Sequence, residues 1–169
     1  RIPFTNHHAT EQEFEENKPL LEKYHKKGNA VILTNDNLAA WIKAEFPRYR
    51  LEASVINNIN THEKIQSAHE LYDTVVLPMS INNDHDFLRK TKNKKNITLF
   101  ANAGCALNCP AKICYPSISK ANKFTGDEFK CSQNLKYRKL NGMIDFDLDV
   151  LVKLGFTRFK VLRSKGMTG

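Results

Sequence analysis

The chain has 169 residues, of which 41% are hydrophobic, and this size and composition suit one domain with a substantial core. Its net charge of +8 is compatible with contact to phosphates or acidic surfaces, although composition alone names no partner. Neither a charged leader nor a long apolar run is present, which predicts a cytoplasmic protein that makes no membrane contact.

Short apolar runs alternate with amphipathic stretches along the chain. The predicted strands are Ile2 to Thr5, Ala30 to Thr34, Arg50 to Val55, Thr74 to Pro78, Ile97 to Ala101 and Arg158 to Leu162. The predicted helices are Glu11 to Lys27, Asp36 to Phe46, a helix capped by Asn60 or Thr61 that runs to Tyr72, Asp84 to Lys90, and Phe146 to Leu154. Pro19 is a candidate break in the first helix, and Gly155 is expected just after the last one.

The spacing of the strands indicates the fold class. Strands that begin near residues 30, 50, 74 and 97 are too far apart for hairpins and fit βα units, so we predict a parallel sheet. An open doubly wound sheet and a (β/α)₈ barrel share this pattern, but no Gly-rich phosphate loop follows a strand, which favours the barrel. The prediction is an α/β fold: a parallel, TIM-barrel-like domain over residues 1–169, with an irregular cysteine-bearing excursion at 102–142. With six predicted strands, the barrel is incomplete in this chain or is completed by sequence outside it.

Polar residues cluster where the predicted strands end, which is where both architectures bind ligands. The candidate substrate-binding residues there are Asn6, His7, Asn35, Ser54, Met79 and Arg163. Asn35 has an equally simple interpretation as a helix cap, and His7 as part of a surface loop. The histidines within predicted helices, His25, His62, His69 and His85, are expected at the surface.

Glu52 is a carboxylate inside an apolar strand, where burial is costly without a partner. Strand alternation directs Glu52 and Ser54 into the barrel, and Lys160 on the last strand could supply the compensating charge. Glu52, Lys160 and Asn102, which follows the fifth strand, are the candidate catalytic residues, with a role in positioning substrate. A buried ion pair without catalytic function is the alternative for Glu52.

The four cysteines, Cys105, Cys109, Cys114 and Cys131, all fall in one excursion of the chain. In a cytosolic protein such a group favours metal or cluster binding over disulfides, because intracellular thiols are kept reduced. The intervals of three, four and sixteen residues match neither a zinc ribbon nor a CxxxCxxC motif. Zinc, an iron–sulfur cluster, ligation by a subset of the cysteines, and unligated or disulfide-bonded cysteines therefore all stay open.

Two basic stretches could contact RNA, or could be solvated surface. One contains Lys92, Lys94 and Lys95, and the other Lys136, Arg138 and Lys139 around an aromatic residue that could stack on a base.

Several segments together carry a resemblance to a known family. They are Glu52 to Val55, Thr74 to Leu77, Ile81 to Leu88, Leu99 to Pro110 and Leu154 to Lys160. This pattern, most specifically Asn102 to Pro110, resembles the collagenase-like peptidase family of unassigned catalytic type. The resemblance covers roughly residues 30 to 163.

The resemblance implies a TIM-barrel-like domain and, as in several relatives, a [4Fe–4S] cluster held by four cysteines. Cys105, Cys109 and Cys131 match best, with Cys114 as the fourth ligand. Relatives act in oxygen-independent hydroxylation of ubiquinone precursors or of RNA bases, and others were named as proteases. The expected function is thus an iron–sulfur-dependent modifying enzyme for a small or nucleotide-like substrate. The alternatives are a scaffold barrel with structural zinc that works with a partner subunit, and a peptidase, for which no Ser-His-Asp or Cys-His arrangement is evident.

Overall fold

In the computed structural model, which describes residues 1–109, 111–133 and 143–162, the predicted strands form one six-stranded parallel sheet. The strand bounds are β1 Ile2–Phe4, β2 Ala30–Leu33, β3 Arg50–Ala53, β4 Thr74–Val76, β5 Ile97–Phe100, β6 Asn102–Ala103, β7 Ile144–Asp145 and β8 Phe159–Lys160. The sheet order is β1-β2-β3-β4-β5-β8, so the alternation of strands and helices is confirmed as a run of neighbouring βα units.

The sheet is curled into a half-barrel with its helices on the outer face. The helix bounds are α1 Glu11–Lys23, α2 Asp36–Glu45, α3 His62–Leu71, α4 His85–Lys90, α5 Cys114–Ala121 and α6 Leu148–Lys153. The main core joins alternate strand residues such as Leu33, Leu51 and Leu99 to helix residues such as Leu21 and Ile42. Helices α1 to α4 and helix α6 therefore all pack against the same face of the sheet, as the outer helices of a barrel do.

Local capping chemistry sets several helix boundaries. Thr10 and Glu13 form a reciprocal capping box at the start of α1, and Thr61 caps α3. Gly155 follows α6 with φ +97°, a left-handed conformation that glycine adopts without steric cost. These boundaries agree with the sequence prediction.

Two expectations about local structure are wrong. Pro19 does not split α1, which continues to Lys23 because Phe14 and Leu21 anchor it in the core on both sides of the proline. The excursion after β5 is also not irregular throughout. It contains the eight-residue helix α5, and β6 pairs with β7 in a short antiparallel ribbon.

Candidate functional site at the carboxyl ends of the strands

The inner face of the half-barrel carries a buried carboxylate. Glu52 in β3 is 1% exposed, and its Oε1 lies 3.5 Å from Lys160 Nζ, so the predicted ion pair is present. Its Oε2 lies 3.6 Å from Arg1 Nη2 and accepts a hydrogen bond of 3.4 Å from Thr74 Oγ1. Two cations and one hydroxyl therefore offset the cost of burying this carboxylate.

The contacts of Glu52 with Arg1 and Lys160 depend on the curl of the sheet. Arg1 precedes the edge strand β1, and Lys160 lies in the opposite edge strand β8, yet both reach Glu52 on β3. In a flat sheet β3 and β8 would be about 14 Å apart, since neighbouring strands are separated by about 4.8 Å. Glu52 and Lys160 are thus brought together by tertiary structure and share one interior.

Asn102, which follows β5, forms hydrogen bonds with the segment just after β8. Its Oδ1 accepts a hydrogen bond of 2.7 Å from Leu162 N, and its Nδ2 donates one of 3.2 Å to Leu162 O. Both ends of the amide are used, so Asn102 holds the segment after β8 against the end of β5. Asn102 thus fixes the position of the backbone just after Lys160.

The end of β1 is tied to the cysteine excursion. Asn6 Nδ2 donates to Ser119 O at 3.0 Å, and His7 N donates to Ser119 Oγ at 3.3 Å. His7 Nδ1 lies 2.9 Å from the same hydroxyl, and Lys123 forms an ion pair with Glu13 of α1. Helix α5, which begins at Cys114, is thereby anchored at the carboxyl end of β1, although β5 leads into the excursion.

The contact between Ser119 and His7 does not have the properties of a hydrolase pair. Ser119 is 1% exposed, so no substrate reaches its hydroxyl. Burial, and then the neighbouring charge of His8, lower the pKa of His7, which favours the neutral ring. The pair is a tether between β1 and α5.

The other candidate substrate-binding residues have structural contacts. Asn35 is the N-cap of α2, since its Oδ1 accepts from Leu38 N at 2.9 Å, and its Nδ2 donates to His7 O at 2.8 Å. Ser54 caps a short 3₁₀ turn, and Met79 is 5% exposed in a small inner core with Phe100. Arg163 lies outside the described residues.

The histidines expected at the surface are only partly there. His85 is exposed, but His25, His62 and His69 are half-buried. His62 stacks on Phe87 with ring centroids 4.0 Å apart, and His69 Nδ1 lies 3.3 Å from Tyr72 O. The expectation was wrong for these three because the ends of α3 and the loop after α1 pack against neighbouring loops.

Hydrogen bonds join residues 105–112 to residues 131–133, two segments that together contain three of the cysteines. Cys109 Sγ lies 3.3 Å from Ser132 Oγ and accepts from Lys112 N at 3.4 Å. Cys131 Sγ accepts from Gln133 N at 3.4 Å, and Gln133 Nε2 donates to Cys105 O at 3.2 Å. Lys112 has φ +43°, a left-handed conformation, in the turn that follows Cys109.

These contacts change the acidity of the thiols. The Ser132 hydroxyl, followed by backbone N–H groups of Lys112 and Ala111, lowers the pKa of Cys109, although burial opposes them. Burial, and then the charges of Cys131, Cys109 and Cys105, raise the pKa of Cys114. All four sulfurs therefore share one electrostatic neighbourhood, and the burial of Tyr115 beside them raises its pKa to about 12.

The donor set suits a soft metal or a cluster, because thiolates that accept N–H bonds are the usual ligands of such groups. Within residues 1–109, 111–133 and 143–162, however, no three His, Cys, Asp or Glu side chains are gathered closely enough to hold a metal ion. The chemistry of the four cysteines thus fits a metal site, while their sulfurs are not drawn together around one point.

A cavity of about 380 Å³ lies beside the tether between β1 and α5; we call it the rim cavity. Phe4, Phe14 and Ile118 give it apolar walls, and Asn6 and Asn122 add side-chain amides. A mainly apolar hollow with a few polar groups is the usual form of a small-molecule site.

Sequence reasoning missed Ser119 and the rim cavity. Both depend on α5, which the sequence analysis left within an irregular segment. The signal was present in the eight residues from Cys114, where Ile118 and Ser119 follow Cys114 and Tyr115 at helical spacing.

In comparisons with known proteins, no family model, curated protein or solved structure matches the chain. No helix in the described ranges combines the length and the apolar character needed to cross a membrane.

Proposed function

We propose that the half-barrel is part of a TIM-type barrel that carries an iron–sulfur cluster and modifies a small or nucleotide-like substrate at the carboxyl ends of its strands. One observation carries the proposal. The segment with the four cysteines is anchored over this end of the sheet, through Ser119 to the end of β1 and through Gln133 back to Cys105.

The proposed ligands of the cluster are Cys105, Cys109, Cys114 and Cys131. Hydrogen bonds to the sulfurs of Cys109 and Cys131 support this assignment, because N–H groups that point at thiolates tune such clusters. When bound, a [4Fe–4S] cluster would supply electron transfer or activation of an oxygen donor. A bound cluster would require Cys114 as a thiolate, whereas burial, and then the charges of Cys131, Cys109 and Cys105, raise the pKa of this thiol in the unligated chain.

The rim cavity is the proposed substrate pocket. Asn6 contributes an amide to it and also bonds to Ser119 of α5, so the pocket and the cysteine segment share one support. Glu52 and Lys160 form a charged pair on the inner face of the sheet, where Arg1 also contacts Glu52. We assign them to orienting a polar group of the substrate.

The test is anaerobic purification, reconstitution with iron and sulfide, and analysis of both elements with a visible and an electron paramagnetic resonance spectrum. About four iron and four sulfide per chain are expected for one [4Fe–4S] cluster, with a loss of both in each Cys→Ser variant. Lys120→Gln, a change in α5 that keeps every cysteine, is the matched control and should retain the cluster. Lys120 is exposed, and its side chain forms no hydrogen bond or ion pair among the described residues.

Two other outcomes would redirect the assignment. One equivalent of zinc and no iron would favour a structural metal in a scaffold barrel that works with a partner subunit. A colourless, iron-free protein that loses no stability when all four cysteines become serine would refute the cluster.

RNA as the substrate class has a separate test. Binding of a fluorescent single-stranded RNA should weaken steeply with salt if Lys92, Lys94 and Lys95 neutralise phosphates. Of these, Lys92 and Lys95 are exposed, whereas Lys94 donates to Leu154 O. Lys136, Arg138 and Lys139 lie outside the described residues. Absent or salt-independent binding would remove RNA and leave a small molecule as the substrate.

A further inference from the structure

The amino-terminal end of the sheet, opposite the rim cavity, has a polar pocket of about 430 Å³; we call it the basal pocket. It lies where β3, β4, β5 and β8 begin. Its walls include Arg50, at the start of β3, and Arg158, just before β8, with Asp73 and Asn96 from the loops between them.

Two guanidinium groups face this pocket without a partner. Among the described residues, neither Arg50 nor Arg158 forms a side-chain hydrogen bond or an ion pair, and both Nε atoms are buried. A buried N–H without a partner costs about 1–3 kcal/mol, and more when the group is charged. Buried N–H groups without a partner are rare in folded proteins, so the two Nε atoms mark this pocket as a place where a ligand would complete the hydrogen bonding.

The charges around the pocket reinforce this imbalance. Burial, and then the positive charges of Arg50 and Arg1, lower the pKa of Arg158, and the charge of Glu52 opposes them only in part. Glu52 already accepts contacts from Arg1 and Lys160. Asp73 contributes one negative charge to the pocket, but its Oδ2 accepts a hydrogen bond of 2.8 Å from Leu51 N. Two cations and one committed carboxylate leave the pocket with net positive charge.

The remaining lining adds hydrogen-bonding groups of both kinds. Asn93 and Asn96 place amide side chains at the pocket. His69 Nδ1 can only donate to Tyr72 O, so a neutral His69 leaves its buried Nε2 as an acceptor without a partner among the described residues. An anion with a hydroxyl group would satisfy the guanidiniums with its oxygens and His69 Nε2 with its O–H.

We propose that the basal pocket binds a phosphate group, as free phosphate or as a small phosphate monoester, between Arg50 and Arg158. Paired guanidinium forks match the oxygens of a phosphate, and the pocket has room for a ligand larger than a bare ion. The site is separate from the proposed catalytic end, because barrel enzymes place their chemistry at the carboxyl ends of the strands. The pocket therefore suits a stabilising or regulatory anion, and it does not depend on the cysteines.

The experiment is calorimetric titration of the full chain with inorganic phosphate, against sodium chloride at matched ionic strength. One phosphate per chain is expected. Arg158→Gln and Arg50→Gln should each weaken binding about 10- to 100-fold, the usual effect of losing a charge-assisted contact. Arg89→Gln is the matched control, because Arg89 is exposed on α4 and pairs with Asp86. Its phosphate affinity should equal that of the unmodified chain.

Thermal unfolding separates a binding role from a purely structural one. In phosphate-free buffer, Arg158→Gln should raise Tm, because it removes a partly buried, unpaired charge, and it should abolish the rise in Tm caused by phosphate. Asn96→Asp places a carboxylate at the pocket and should likewise raise Tm without phosphate while weakening phosphate binding.

Three results would overturn the proposal. The first is no heat and no Tm shift from phosphate beyond that from chloride. The second is a lower Tm of Arg158→Gln in both buffers, which would make the guanidinium a structural contact. The third is an equal Tm shift from acetate at matched ionic strength, which would replace phosphate with a carboxylate ligand.

Discussion

The ion pair inside the half-barrel predicts an asymmetric response to the loss of either partner. Glu52 is 1% exposed, whereas the side chains of Lys160 and Arg1 are 29% and 45% exposed. When Lys160 is replaced by Met, the carboxylate stays buried with Arg1 at 3.6 Å and one hydroxyl. When Glu52 is replaced by Gln, both cations can recover water.

The expected magnitudes follow from this difference in exposure. Lys160→Met should lower the free energy of unfolding by about 3 kcal/mol, the low end for breaking a buried pair, since Arg1 still contacts Glu52. Glu52→Gln should cost about 1 kcal/mol, because the amide can still accept from Thr74. The double variant should cost about 1–2 kcal/mol less than the sum of the two single changes, since the residues are in contact.

The assay is urea unfolding, followed by the fluorescence of Trp41, the chain's single tryptophan. Trp41 lies on α2 and packs on Phe14 with ring centroids 5.8 Å apart, so its emission reports the outer core and not the ion pair itself. Lys153→Met, a change at an exposed lysine of α6, controls for the loss of a positive charge and should stay within about 0.5 kcal/mol. If Glu52→Gln proves as costly as Lys160→Met, the cost of Lys160→Met does not come from leaving a buried carboxylate with one cation fewer, and the predicted asymmetry is refuted.

Two substitutions and one titration test the contacts at the carboxyl ends of the strands and the acidity of the cysteines. Asn102→Asp should cost about 2 kcal/mol in urea unfolding, because a carboxylate cannot donate to Leu162 O, and a cost near zero would remove its role as a clamp. Ser119→Ala should lower unfolding stability by about 1–2 kcal/mol through the lost tether to β1, and an unchanged stability would show that α5 is held by other contacts. Thiolate absorbance at 240 nm can be titrated in the metal-free protein, and Cys→Ser variants at each site assign the signals. Cys109 should ionise below pH 9 and Cys114 above it. The reverse order would contradict the hydrogen bonds to Cys109.

The folded-state pKa of His7 also fixes the sign of one pH effect on stability. A lowered pKa means that the folded chain favours the neutral ring, so this contribution is present above pH 6.5 and is lost as the pH falls below it. The free energy of unfolding of the chain should therefore decrease more steeply below pH 6.5 than that of His7→Asn. Parallel pH profiles for the two proteins would contradict the burial of this ring.

The sequence determined the six strands of the parallel sheet, five of the six helices, and the order in which they alternate. Apolar runs such as Ala30–Leu33 and caps such as Thr61 act over a few residues, so periodicity and capping chemistry were sufficient to place them. The same local rules predicted that Glu52 faces away from the helices, and its need for a counter-charge pointed to Lys160.

Only the tertiary structure decided which distant groups meet. The curl of the sheet brings Arg1, Lys160 and Glu52 together from both edges, and no local pattern encodes a curvature summed over six strands. The docking of α5 on the end of β1 depends on contacts across 112 residues or more, so helical spacing could indicate α5 but not the place where Ser119 docks. The basal pocket arises in the same way, since its lining joins Arg50 and Arg158 from distant parts of the chain.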